Sequence, residues 1–120
     1  MAYPKVKITN TTRYAVSGKV NYMSKFCSND SYRVDSFGRW EASSRGVCLL
    51  TKITATIVTP DGKYIDAKPY TSSGTSYSNF IITELSEGEF SVNRYITHNT
   101  IEENEIPEDY VEPTEKTKII

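Results

Sequence analysis

Apolar and polar residues alternate along this chain with a period of two, and that alternation limits its folds more than any other feature. In "YAVSGKVNYM", Tyr14, Val16, Gly18, Val20 and Tyr22 share one side, with Ala15, Ser17, Lys19 and Asn21 on the other. Successive side chains of a strand point to opposite faces, so the pattern predicts a half-buried strand with Gly18 as a bulge or a point of close approach. "PKVKIT" repeats the alternation through Val6 and Ile8, and "NTTR" after it has turn chemistry, since Asn tolerates left-handed backbone and Thr caps turns. Residues 47–59, "VCLLTKITATIVT", are rich in β-branched side chains and set Ile53, Ala55 and Ile57 against Lys52, Thr54 and Thr56. They predict the richest single strand of the fold.

Turn signals divide the rest. "PDGK" (60–63) joins that strand to "KYIDA", because Pro presets the first central residue of a turn and Gly supplies positive φ. "SNFIITEL" and "EFSVNRYI" flank "SEG" as a second hairpin, and "SYRVD" (31–35) and "GRWEAS" (38–43) are two shorter strands. No window has helical periodicity of useful length. Seven or eight short strands predict an all-β fold, a single antiparallel β-sandwich or flattened barrel, with Trp40 in or at the edge of its core.

Length and composition agree with one globular domain: 120 residues, 38% hydrophobic and 24% charged. The net charge of −1 says nothing about nucleic acid, which is not expected as a partner, but its distribution is uneven. Residues 1–98 hold 12 Lys and Arg against 8 Asp and Glu, a net +4, whereas residues 99–120 hold 2 Lys against 7 acids, a net −5. The sandwich is therefore expected over 1–98 and an extended acidic segment over 99–120. In that segment Ile101, Ile106, Tyr110 and Val111 interrupt the acids, as in a stretch that docks extended. It ends in the β-prone "KTKII", with Lys116, Lys118, Ile119 and Ile120, similar to the opening "KVKIT".

The two cysteines, Cys27 and Cys48, form no zinc-type cluster; a disulfide and two small buried thiols are both open to them. No apolar stretch is long enough to span a membrane as a helix. The opening "MAYPKVKITN" has no secretory pattern, which favours the cytoplasm, with the cell surface or exterior as the second expectation. Asn10-Thr11-Thr12 and Asn29-Asp30-Ser31 match the glycosylation acceptor pattern.

Catalysis is the least favoured class. The one histidine, His98, has no nucleophile motif around it, no glycine-rich phosphate cradle is present, and the paired acids (Asp61 and Asp66, Glu87 and Glu89) fall at turns. No cofactor is expected. Two segments remain for contact chemistry. "KPYTSSGTSYSNFII" (68–82) reads as a polar surface loop, in which Tyr70, Ser73, Thr75 and Tyr77 offer rings and hydroxyls to a sugar or a lipid headgroup. "WEASSRGVC" (40–48) offers Trp40 and Arg45, whose guanidinium can fork onto a phosphate or carboxylate.

"ITNTT" before the first long strand, "SSRG" in a mid-chain turn and the Tyr/Ser/Gly loop before an aromatic strand resemble, over residues 6–96, small β-sandwich cytolysins of the aegerolysin and actinoporin kind. The resemblance implies a sandwich that meets membranes. The broad tryptophan face of those proteins has no counterpart here, since Trp40 is the sole Trp. Two functions follow as expectations. The first is a non-catalytic structural protein, a homo-oligomer or filament, in which residues 99–120 dock strand-wise on a neighbouring subunit. The alternative is a glycan- or lipid-headgroup-binding module using the Tyr/Ser/Gly loop.

Overall fold

The alternating segments do fold as strands, and their apolar faces meet in one core. The computed structural model describes residues 3–96. In chain order the strands are β1 (Lys7–Asn10), β2 (Ala15–Tyr22), β3 (Asp30–Val34), β4 (Arg39–Glu41), β5 (Leu50–Ile53), β6 (Thr56–Val58), β7 (Tyr64–Asp66), β8 (Tyr70–Thr75), β9 (Asn79–Ser86) and β10 (Glu89–Arg94). No helix occurs among the described residues. Two sheets pack together. One has four strands in the order β10-β9-β1-β4. The other has six, in the order β7-β6-β2-β5-β8, with β3 on the far side of β2. Ile8, Phe80, Ile82 and Val92 from the first face Val16, Val20, Leu50, Ile53 and Ile57 from the second, all essentially solvent-free. Burying each such side chain is worth about 1.5–3 kcal/mol.

Among the described residues there are ten strands where the sequence suggests seven or eight, for two reasons. Residues 47–59 are not one strand. The alternation of Ile53, Ala55 and Ile57 inward is kept, but pairing breaks at Thr54 and Ala55, so β5 and β6 each pair with a different half of β2. Gly18 sits opposite the break. A Cβ built on it would lie 2.0 Å from the carbonyl oxygen of Thr54 and 2.8 Å from the hydroxyl of Tyr32. The glycine thus gives room for the Tyr32 ring, whose hydroxyl donates to Thr54 O at 2.6 Å. The second reason is β8, which lies where a surface loop is expected.

The named strands pair antiparallel except for β1 and β9, which run parallel from Lys7 opposite Asn79 to Asn10 opposite Ile82. Parallel pairing needs a long crossover, and here nearly the whole domain separates the two strands, so no local pattern reveals it. The expected hairpins form. Gly62 (φ 84°) turns β6 into β7, and Gly88 (φ 78°) turns β9 into β10.

The two sides of the sandwich differ. On one, Lys68 bridges the sheets: its N–H donates to Phe90 O (2.8 Å) and its carbonyl accepts from Val92 N–H (2.9 Å). On the other, the chain crosses between sheets through the corner from Asp35 to Gly38, leaving β3 and β4 as outermost strands. Among the described residues nothing pairs with the outer edge of either.

Candidate functional site

The two segments singled out for contact chemistry do meet, but they spend their polar groups on each other. Arg45 is buried, and its Nη2 donates to the carbonyls of Ser76 and of Tyr77 (3.1 Å). The guanidinium also lies 5.6 Å from the ring centroid of Tyr3. Through Nη2 this cation holds the 76–77 turn down, and the residue also lines a surface hollow beside the disulfide. Thr75 is fully buried, and its hydroxyl accepts from the N–H of Tyr77 at 3.0 Å. Tyr70 stands on β8, pairs with Ile53 and packs on Phe80 at 4.8 Å between centroids. Tyr77 is half-buried against the core, with the Arg94 guanidinium 3.5 Å from its ring centroid. Trp40 points inward opposite Ile8 and packs on Tyr32 at 5.3 Å. Of the six residues, Ser73 alone is exposed.

The surface-loop expectation for 70–75 fails because β8 needs its backbone. Pairing with β5 takes up Tyr70, Thr71 and Thr75, and at Gly74 the missing side chain leaves room where a Cβ would lie 3.2 Å from Met23 Sδ and 3.4 Å from Leu49 Cδ1. Cys27 and Cys48 are joined as a disulfide, with 6.1 Å between their Cα atoms. Asn10 is no glycan acceptor: it is buried, and its Nδ2 donates to Tyr14 O (2.8 Å) and Asp35 O (3.0 Å). Asn29 is exposed. His98 and the docking residues Ile101, Ile106, Tyr110, Val111, Lys116, Lys118, Ile119 and Ile120 lie outside the described residues.

The open side of the sandwich has features that sequence reading passed over. Phe37 is 71% exposed and holds φ 57°, the one positive φ on a non-glycine among the described residues. "DSFGRW" suggests that Gly38 takes the left-handed position. Instead Gly38 is needed for space, since a Cβ there would meet Asp35 O at 3.0 Å and Val34 at 3.3 Å. The left-handed turn then falls on Phe37, whose N–H donates to Thr12 O at 3.1 Å. An aromatic ring is thus held in solvent by a backbone that costs about 1–2 kcal/mol for a side chain of this kind. Strain of this sort is found where contact is made more often than elsewhere.

The surface also has shallow hollows. One of about 480 Å³ lies between the two hairpin turns, over Tyr14, Ile65 and Phe90. Another of about 230 Å³ is lined by Tyr22, Ser28, Asp30, Ser43, Ser44 and Arg45 beside the disulfide. Among the described residues no cluster of His, Cys, Asp or Glu has the makings of a metal site, and no helix is long and apolar enough to cross a membrane. Comparison of the chain with protein-family models, with curated proteins and with solved structures finds no match. The resemblance to small cytolysins rests on short motifs alone, and two of these, around Asn10 and Arg45, carry side chains turned to internal hydrogen bonding.

Proposed function

We propose that this protein is a non-catalytic structural protein that self-assembles into oligomers or filaments. The C-terminal segment of one copy docks strand-wise on the open side of the next. The observation that supports this best is the asymmetry of the sandwich, one side closed by Lys68 and the other presenting β3 and β4 unpaired around the exposed Phe37. An open edge offers a row of unpaired N–H and C=O groups, and an extended chain added there gains backbone hydrogen bonds. The five residues of "KTKII" match the five of β3 in length. A tail-to-body contact of this kind is heterologous, so it yields rings where the rotation closes and filaments where it does not.

Light scattering with size exclusion and negative-stain imaging, on the full chain and on a chain ending at His98, test the proposal. Assembly by the full chain and a folded monomer from the short one are the expected results, with circular dichroism checking the fold. Equal assembly by both chains would sink it.

The hollow of about 230 Å³ favours a second reading, in which Ser43, Ser44 and Asp30 hydrogen-bond a small glycan. Saturable binding on a glycan array, lost on Ser44→Trp, is what that reading requires.

A further inference from the structure

The strand register places three cations on one patch of the outer sheet face. Ser17 of β2 is opposite Arg33 of β3, Lys19 is opposite Ser31, and Asn21 is opposite Lys52 of β5. Directly opposed residues share a face, and Ser17, Lys19 and Asn21 are successive outward positions of β2. Arg33, Lys19 and Lys52 therefore form a diagonal across three adjacent strands, each step about 7–8 Å. All three are exposed, and Val20, Val34 and Ile53 beside them are buried on the core side. Like charges this close repel in an unoccupied sheet.

The counter-charge on the face is thin. Asp66 is its one acid in the paired strands; it accepts from the Thr56 hydroxyl at 3.1 Å and lines a hollow with Lys52, while Lys19 and Arg33 lie on the other side of β6 from it. The ion pairs among the described residues involve Lys5, Lys7 and Lys63, not these three. The chain carries its own complement: residues 102–112 hold Glu102, Glu103, Glu105, Glu108, Asp109 and Glu112 with no Lys or Arg. At roughly 3.3 Å per residue this stretch reaches about 36 Å, more than the length of the diagonal. Residues 113–115 alone separate it from Lys116, so a tip lying along β3 would leave the acids within about 10 Å of that strand, which itself carries Arg33.

We infer that the Arg33–Lys19–Lys52 face is the receptor for the acidic stretch 102–112 of a second copy. The inference rests on the assembly proposed above and adds an electrostatic component to the strand docking. The contact is exposed and so is screened by salt, fading as the Debye length falls from about 10 Å at 0.1 M to about 3 Å at 1 M.

The test uses full-length chains in sedimentation velocity at low and high salt. One variant reverses the face (Lys19→Glu, Arg33→Glu, Lys52→Glu), another reverses the segment (Glu105→Lys, Glu108→Lys, Glu112→Lys), and a third combines all six. Each triple variant alone is expected to assemble at least tenfold more weakly than the parent at low salt and equally at high salt. Mixing the two triple variants should restore assembly, because each then offers what the other lacks. A face variant that assembles like the parent overturns the inference and leaves the strand-docking proposal standing. Restoration in the six-fold variant but not in the mixture places the contact within one chain and overturns it as well. A parent that stays monomeric at every concentration ends the assembly proposal instead.

Discussion

Gly18 and Tyr32 act as one unit. The ring of Tyr32 lies over the missing side chain of Gly18 and caps Thr54 O, the carbonyl freed where β5 gives way to β6. Gly18→Ala should cost about 1–3 kcal/mol, because the new methyl meets backbone that cannot rotate away. A urea midpoint that falls with an unchanged slope is the expected reading. The same region governs behaviour in alkali. Burial pushes the Tyr32 phenol well above its ordinary value, and Tyr22 is raised first by burial and then by the hydrogen bond it donates to Asp30 (2.7 Å). The folded values exceed the unfolded one, so this contribution is complete below about pH 10 and is lost as pH rises from there toward the folded values. Denaturation midpoints should therefore drop in alkali, and less steeply in Tyr32→Phe. Equal slopes for parent and variant would count against a neutral buried phenol. Gly18 was legible as a close-approach point from its place in the alternation. Its partners were not, since Tyr32 and Thr54 meet it through pairing 14 and 36 residues away.

Where a strand begins and ends depended on different information from where it faces. The two hairpins were readable because Gly62 and Gly88 stand where the turns need positive φ. The alternation through 47–59 predicted the inward residues correctly and the continuity wrongly: β5 and β6 keep one register on β2, but the Thr54 carbonyl between them accepts from the Tyr32 hydroxyl, so the ladder is interrupted there. β8 was misread for the converse reason: Ser, Thr and Gly resemble a loop unless a neighbouring strand is known to claim their backbone. The corner between β3 and β4 yields a test at this level. Phe37→Gly relieves the left-handed strain, so the body should gain about 1 kcal/mol in stability. Assembly should weaken at the same time, since the exposed ring is gone. Opposite signs in denaturation and in light scattering are the expected outcome, and unchanged assembly would remove Phe37 from the contact.

The disulfide works on the whole body. Cys27 in the β2–β3 loop is tied to Cys48 ahead of β5, closing 21 residues of chain. In a chain-entropy account, replacing both by Ser should cost about 3 kcal/mol. Thermal unfolding should then shift down by more than 10 °C for a domain of this size. An unchanged midpoint would mean that the cross-link adds nothing to the stability of the body. The charge division belongs to this level too: the basic body and the acidic C-terminal stretch were plain in the sequence, whereas the diagonal of Arg33, Lys19 and Lys52 needed the register of three strands to be seen.

Class of fold, inward-facing residues and turn positions were set locally, because side-chain alternation and glycine φ act over two to four residues. Partnership was set globally. The parallel β1–β9 pair, the Lys68 bridge that closes one side, the open edges of β3 and β4, and the burial of Arg45 under Ser76 and Tyr77 all join segments tens of residues apart. Hydrogen-bonding groups of that kind accept any strand or carbonyl of suitable geometry, so only the packed molecule chooses among them.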